Sequence, residues 1–598
     1  MLHQSENSRR LNIESLFVRD EQALIESSRG FGDVCFIRLP THQNHLSQTR
    51  LTHAGAIVSK VGQLLSHNAT LIIFGEVLDL VHIHATVSTS LRYQLWIAIK
   101  RETALVSTSQ NQLPHQHVGA LVYTKYDKQL QHTKTRLEYT YCPVCNKTTK
   151  DYGGKKHTYN AYGTLISDVW RDISINPSGD ITPVIERFAD LFGLPHYQAL
   201  RVYDVSRCLT EYAVQPKPAY PNPTVPEALS SKLLHGDCLN QLRTLPDNSI
   251  DFAFVDPPYN LKKEYQGYAD NMSIGDYFRW CDEWISEIAR VLCPGGTLAL
   301  LNIPLWSIRH FLQLETVLTY QNWLVWDALS FPVRLIMPAH YTILCFSKGE
   351  ARPLPGLTAS SENLEILTGY ASLAIDASES LSVLKDGFCL RAQCVSDRAR
   401  HALKDRDVLS DIWSDIHRLK HNSRRVDHPC QLPPPLMYRL IQLFTQPGEI
   451  VLDCFNGAGT TTLTAHQLGR RYIGVELEQR YYQMGLERHN EIEHGLDPFR
   501  KVNRELTAKN SPVERLKKQR YEIPKKTLQL EVKRVAQQLG HIPNHAEMVE
   551  HGKYPIRYYD EYFISWGEVC AAARTTGMKE TREDSVEPSL KSSQPRLF

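Results

Sequence analysis

The stretch that most constrains this chain is PGEIVLDCFNGAGTTTLTAHQLGRRYIGVELEQRYY (447–482). An apolar strand ends at Asp453, and Phe455-Asn456-Gly457-Ala458-Gly459 turns into a helix starting near Thr460–Thr462. A second strand, YIGVE, ends at Glu476. Glycines in such a turn let the backbone approach a ligand closely, and a carboxylate at the next strand end commonly accepts from ribose hydroxyls. A lone glycine turn is weak evidence, but the unit strand–Asp–glycines–helix–strand–Glu predicts an α/β nucleoside-binding sheet. Neither GxxxxGK followed by Ser or Thr nor a three-glycine dinucleotide fingerprint is present, which counts against phosphate binding.

A second strand end carries an acid. IDFAFVDPPY (250–259) reads as a buried parallel strand stopped by Pro257 and Pro258, which cannot donate ladder hydrogen bonds. Asp256 and Tyr259 are thereby fixed at the carboxyl end of a strand, where open α/β sheets bind ligands. Taken alone, the four letters fit an ordinary proline turn equally well.

Asp-Pro-Pro-Tyr followed by Phe-x-Gly-x-Gly resembles the β class of amino-group DNA methyltransferases, in which these motifs run in this order. HGD (235–237), RVLCPGGTLAL (290–300) and HPCQLPPPLMYRLI (428–441) agree with the resemblance, which covers about 232–490. Leu432 departs from it, because the family usually has a lysine there. The resemblance implies a class I methyltransferase fold, a Rossmann-like doubly wound α/β sheet. It also implies S-adenosylmethionine as methyl donor and adenine N6 in double-stranded DNA as acceptor, since Asp-Pro-Pro-Tyr goes with adenine and Ser-Pro-Pro-Tyr with cytosine N4.

Asp256, Pro257, Pro258 and Tyr259 are then the catalytic residues. Asp256 and the Pro257 carbonyl would accept the amine hydrogens, and Tyr259 would stack an extruded base. Asp453, Phe455, Gly457, Gly459 and Thr460 would border the cofactor, Glu476 would meet its ribose, and Asp237 would lie near its adenine. Cytosine-N4 transfer, an RNA or protein substrate, and a DNA-binding protein with a dead site are the alternatives.

The first half has its own strand-like runs at 34–39, 70–78, 95–100 and 119–125, and three peptides recur in order along the chain. VCFIRLPT (34–41) lies where FAFVDPPY (252–259) lies, LPHQHVGALVYTK (113–125) resembles LIMPAHYTILCFSK (335–348), and SDVWRDI (167–173) resembles SDIWSDI (410–416). Residues 1–214 are therefore expected to be a degenerate methyltransferase-like half, with Arg38 and Thr41 replacing the acid and the aromatic. Such a half would supply a second copy in cis, giving a monomer that acts as a pseudo-dimer, with a homodimer as the alternative.

A proline-rich linker (215–230) precedes the catalytic domain (231–495), whose strands are expected at 250–255, 297–302, 341–346, 450–453 and 472–476. That domain is expected to carry a target-recognition insertion at about 349–410. Residues 500–535 hold twelve Lys or Arg against four acids. EVKRVAQQLGHIPNHAEMVEHGKYPIRYYDEYFISWGEVCAAA (531–573) resembles the helical repeat associated with homing endonucleases. A small helical domain contacting the DNA backbone is expected over 500–575, anchored by Leu539, Tyr558, Phe563 and Trp566, with a disordered tail at 576–598.

Cys142-Pro-Val-Cys145 is a CxxC knuckle in need of two more ligands. Cys389 and Cys394 precede SDIW as Cys142 and Cys145 precede SDVW, so a four-cysteine structural zinc formed between the halves is one reading. His157 with one further ligand is another, and unliganded thiols a third. Thirteen cysteines, an odd number, point to reduced thiols in a cytoplasmic protein. A 42% apolar chain with net charge +2 fits a soluble protein without a membrane span. The resemblance places it in a restriction or phage-defence system, beside an endonuclease or other defence partner.

Overall fold

The computed structural model describes residues 11–17, 21–41, 46–87, 91–105, 110–149, 163–176, 179–193, 196–206, 209, 229–260, 264–265, 268–269, 272–328, 336–358, 382–389, 391–401, 403–418, 431–499, 522–563 and 565–574. Most of the proline-rich linker, the 576–598 tail, 500–521 of the basic run, 359–381 of the expected insertion, His157 and the His428–Cys430 motif lie outside these residues. The first 502 residues gather into one compact unit and residues 503–597 into another.

The first half opens with β1 (Asn12–Phe17), β2 (Val34–Arg38), β3 (Thr70–Gly75), β4 (Leu91–Leu105) and β5 (His115–Lys125). A short ribbon of β6 (Arg136–Leu137) and β7 (Thr164–Leu165) follows, then β8 (Val169–Ile175) and β9 (Ala199–Asp204). Seven strands form a sheet in the order β1-β9-β2-β3-β5-β4-β8. Helices α1 (Glu21–Ser28), α2 (Gln48–Leu64), α3 (Val77–Thr86) and α4 (Thr182–Leu191) connect them. The expected strand 70–78 stops at Gly75, because Glu76 takes the N-cap position of α3.

The second half contains β10 (Lys232–His235), β11 (Ile250–Val255) and a ribbon of β12 (Glu264–Tyr265) and β13 (Tyr268–Ala269). Then come β14 (Leu292–Asn302), β15 (Thr319–Asp327), β16 (His340–Ser347) and a ribbon of β17 (Ser382–Leu384) and β18 (Arg406–Val408). Strands β19 (Ile412–Trp413), β20 (Ile450–Asp453) and β21 (Arg471–Glu476) complete the sheet β10-β21-β20-β11-β14-β16-β15-β19. Neighbours from β10 to β14 run parallel, and β16 alone opposes its neighbours. Its helices are α5 (Cys238–Leu242), α6 (Ile274–Val291), α7 (Pro304–Leu314), α8 (Pro355–Thr358), α9 (Ala392–Arg400), α10 (Pro434–Phe444), α11 (Thr460–Gln467) and α12 (Gln479–Glu493).

Sequence accounts for these starts and faces. Ser273 caps α6 by accepting from the Asp276 amide, and prolines open α7 and α10, where a missing N–H costs nothing. Strand β11 is buried at five of its six positions and β20 at all four, the pattern of a sheet covered on both sides. Tyr277, Cys281, Trp284 and Ile288 repeat at helical spacing along the buried side of α6. One apolar core runs through both halves, joining Ile73, Trp96 and Leu121 to Trp323, Leu344 and Phe346.

The two sheets share a register. Val34 pairs with Thr70 and Thr70 with Thr124, just as Phe252 pairs with Thr297 and Thr297 with Ser347. Lys125 Nζ reaches the carbonyl of Gln63 near the end of α2, and Lys348 Nζ the carbonyl of Arg290 near the end of α6.

The second unit packs α13 (Lys525–Leu539), α14 (His545–His551), α15 (Arg557–Tyr562), α16 (Trp566–Val569) and α17 (Ala571–Arg574) around Leu528, Val532, Val535, Met548, Tyr559 and Val569. Tyr558 and Phe563 are buried, and Leu539 and Trp566 pack against this core from its edge. Gly540, at φ +78°, ends α13, and Asn544 with Glu547 forms a capping box for α14. No helix among the described residues is long and apolar enough to cross a membrane.

Candidate active site

Strands β10, β21, β20 and β11 lie side by side and parallel, so the residues at their carboxyl ends share one edge of the sheet. That edge holds Gly236-Asp237, Glu476, Asp453 and Asp256. All the residues singled out for cofactor or catalysis lie on these four strand ends or the turns that leave them.

The turn after β11 is tied at three points. The Tyr259 hydroxyl donates to Asp256 Oδ1 at 2.8 Å, the Tyr277 hydroxyl to the Pro258 carbonyl at 2.9 Å, and Trp306 Nε1 to the Tyr259 carbonyl at 3.0 Å. Asn260 completes the bend with φ +54° and donates to the Met272 carbonyl. Tyr259 is 8% exposed, Pro257 is buried, and Asp256 and Pro258 are half-buried.

The glycine turn is tied to its neighbouring strand. Gly457 N–H donates to Glu476 Oε2 at 2.7 Å, and Glu478 N–H to Glu476 Oε1 at 2.8 Å. Gly457 and Gly459 have φ of +50° and +79°, conformations that favour glycine, and Gly459 stands before Thr460, the first residue of α11. Phe455 N–H donates to Asp453 Oδ1, and the Phe455 ring meets Trp280 and Trp284 of α6 edge-on at 5.6 and 5.7 Å. Gly236 N–H donates to the Glu476 carbonyl, whereas Asp237 accepts from the Asn240 amide and caps α5.

Charge is concentrated at this edge. Burial pushes Asp453 up to about 7, and the carboxylates of Asp256 and Glu476 add to the rise. Burial also raises Glu476, against its two amide donors. Such an edge is suited to a cation.

Tyr277, Trp280, Trp284 and Trp306 were not among the residues read from sequence. The first three sit at helical spacing in YFRWCDEW, a signal that an aromatic helix face packs on something, but not on what.

The four cysteines meet. The sulfurs of Cys142, Cys145, Cys389 and Cys394 all lie within 4.8 Å of one another, with Cys145 and Cys389 3.8 Å apart. Three of them are fully buried. The knuckle closes through Asn146 N–H to the Cys142 carbonyl and Cys142 N–H to the Lys147 carbonyl, and Arg391 lays Nη1 3.6 Å from Cys145 Sγ. Burial pushes the Cys142 thiol up, but the amides of Cys145 and Val144 outweigh it and bring it down to about 7.

A second buried cluster has different chemistry. Asp411 Oδ2 lies 2.6 Å from His115 Nδ1 and 2.9 Å from His117 Nδ1, and His115 Nε2 lies 3.2 Å from Glu76, which also pairs with Arg101. The two contacts to Asp411 are hydrogen-bond lengths, shorter than the roughly 3.3 Å between ligands around zinc. Burial lowers His115, yet Asp411 and Glu76 outweigh it and hold it at about 9. This cluster is a proton-bearing network joining the halves.

Residues 250–487 match the family model described as DNA methylase of the N6/N4 amino-group type, and residues 523–573 match the homing endonuclease associated repeat. Over 258 residues the chain is 33% identical to the type II methyltransferase M.BamHI of Bacillus amyloliquefaciens, spanning 41% of this chain and 54% of that protein. Over 286 residues it is 28% identical to the DNA adenine methyltransferase YhdJ of Escherichia coli (strain K12), spanning 48% of this chain and 91% of that one. A solved DNA modification methylase from Thermus thermophilus, complexed with S-adenosyl-L-methionine, is 22% identical, covering 44% of this chain and 93% of its own, with a TM-score of 0.29.

The second sheet, with its single opposed strand and its turns after β11 and β20, is that of a class I methyltransferase. Residues 250–487 are a domain of the N6/N4 DNA methylase family, and a homing endonuclease associated repeat follows it.

Proposed function

We propose that this protein is a site-specific methyltransferase that moves the methyl group of S-adenosylmethionine to N6 of adenine in duplex DNA, within a restriction–modification or phage-defence system. The observation that carries this reading is the meeting of Asp256–Tyr259 with the 453–459 turn at neighbouring parallel strand ends. The donor fits the residues present: Asp256, Asp453 and Glu476 crowd carboxylates where a sulfonium and an ammonium would sit, and Gly457 leaves its turn without a side chain. When bound, it supplies an electrophilic methyl group.

The chain's own work is positioning. An adenine amine is a poor nucleophile because its lone pair is delocalised into the ring. Asp256 accepting one N–H, with the Pro257 carbonyl accepting the other, holds the nitrogen in line and pushes it towards sp³. Tyr259 fixes the carboxylate rotamer through its hydroxyl, and Tyr277 and Trp306 keep the turn from drifting. Duplex adenine must be extruded to reach this edge, and the Tyr259 ring stands beside the carboxylate to stack it. The helical repeat and the basic run before it would hold the DNA backbone. Transfer of label from S-adenosylmethionine to duplex DNA, with nucleosides identified by mass spectrometry, should give N6-methyladenine. N4-methylcytosine or no transfer overturns the reading.

Cys142, Cys145, Cys389 and Cys394 would hold a structural zinc. Tetrahedral thiolates at about 2.3 Å from zinc stand about 3.8 Å apart, the separation of Cys145 and Cys389. Four protein ligands leave no open position, so this metal would take no part in transfer.

A further inference from the structure

The contacts between the two halves are reciprocal. Within each half, Ala98 N–H donates to the Asp168 carbonyl at 2.9 Å and Val325 N–H to the Asp411 carbonyl at 2.7 Å. Across the halves, Asp168 N–H donates to the Met337 carbonyl at 3.2 Å, and Asp411 N–H to the Pro114 carbonyl at 3.1 Å. The Asp168 carboxylate accepts from the amides of Ala339 and His340, and the Asp411 carboxylate accepts from the amide of Gln116. Trp96 and Trp323, each two residues before one of the donors named first, stack with ring centres 4.9 Å apart. Contacts that run from i to j and back from j to i define a two-fold, isologous pairing.

That symmetry fails at the carboxyl ends of the central strands. Arg38 ends β2 where Asp256 follows β11, and it is taken up by Asp204 at 3.3 Å and the Gly179 carbonyl at 2.7 Å. In the first sheet β9 is bordered by β1, so among the described residues nothing corresponds to β21 with its Glu476, nor to α11 and α12. One half presents a carboxylate and a cofactor turn, and the other an occupied guanidinium.

We propose that residues 1–214 are a built-in, catalytically silent second subunit, so that one chain acts alone on a non-palindromic duplex sequence and methylates one of its strands. The inference rests on the transfer activity proposed above. Palindromic sites mirror an exact two-fold in the protein that reads them. Here the two-fold holds only in the buried interface, and the strand ends that would meet DNA differ in charge and in chemistry. The face formed by α7, β15 and residues 410–413 is already covered by the first half, which leaves no equivalent place for a second copy.

The test is to express the full chain in a host lacking adenine methylation and sequence modified bases strand by strand. The mass of the purified protein is measured in solution alongside. Modification of one strand of a non-palindromic sequence, with a one-chain mass, is expected. Equal modification of both strands of a palindrome overturns the proposal, and so does a two-chain mass, whether or not transfer is seen. Absence of any modified adenine would instead overturn the transfer on which the proposal rests, and the proposal with it.

Discussion

The hydroxyl of Tyr259 donates to Oδ1 of Asp256 across 2.8 Å, which makes the acid and the aromatic of the turn one unit. Asp256→Ala should reduce transfer by roughly a thousandfold or more, the scale of losing one preorganised electrostatic contact in a reaction centre. DNA affinity in a filter-binding assay should stay nearly unchanged. Tyr259→Phe keeps the ring and loses only the tie, so kcat should fall roughly ten- to a hundredfold, as for a hydrogen bond to a charged group. Tyr259→Ala should also weaken the complex with duplex DNA.

Glu476 accepts from the amides of Gly457 and Glu478, so it shapes the glycine turn besides facing the ligand edge. Glu476→Ala should weaken S-adenosylmethionine binding by roughly a hundredfold, the scale of losing two contacts to a carboxylate. A calorimetric titration reads this directly, and unaltered affinity would remove Glu476 from the site.

Asp453 sits at about 7 because it is buried beside Asp256 and Glu476. Below that value the folded protein holds it neutral, and binding a cation there must first expel the proton. Above it no proton has to leave, so S-adenosylmethionine affinity should rise between about pH 6 and about pH 8, by up to roughly tenfold per unit on the acid side. Asp453→Asn should flatten the profile.

The four cysteines predict about one zinc per chain by elemental mass spectrometry, as for a closed four-thiolate site. Cys389→Ser and Cys394→Ser should each lower that content and reduce Tm by roughly 5 °C or more. Full stability without metal would refute the assignment.

Trp96 and Trp323 are buried against each other across the halves. Trp323→Ala should cost roughly 3–5 kcal/mol in urea unfolding. Adding Trp96→Ala should cost less than its effect alone, by about 0.5–1.5 kcal/mol for the lost stacking.

What could be read in the sequence was whatever is local. Asp256–Tyr259 and Asp453–Gly459 are runs of adjacent letters, and their backbone demands are written there. The equivalence of Lys125 with Lys348 was equally plain, because both follow repeated peptides. Strand β15 was not read, since Gln321 and Asn322 interrupt its apolar pattern. They are buried because Thr297 donates to Gln321 and the Leu113 amide donates to Asn322, and the second partner comes from the other half. Glu76 hides in the same way inside an apolar run, held by Arg101 and His115. Tyr277, Trp306 and the Arg38–Asp204 pair reach their partners from far along the chain, and only packing brings them there.

The pairing drawn by Asp168 and Asp411 lies within a single polypeptide. Two separate proteins paired by the same contacts would come apart on dilution. Tethered partners meet at an effective concentration in the millimolar range for short flexible linkers, however scarce the protein is. The first molecule made in a cell is therefore already a complete pair.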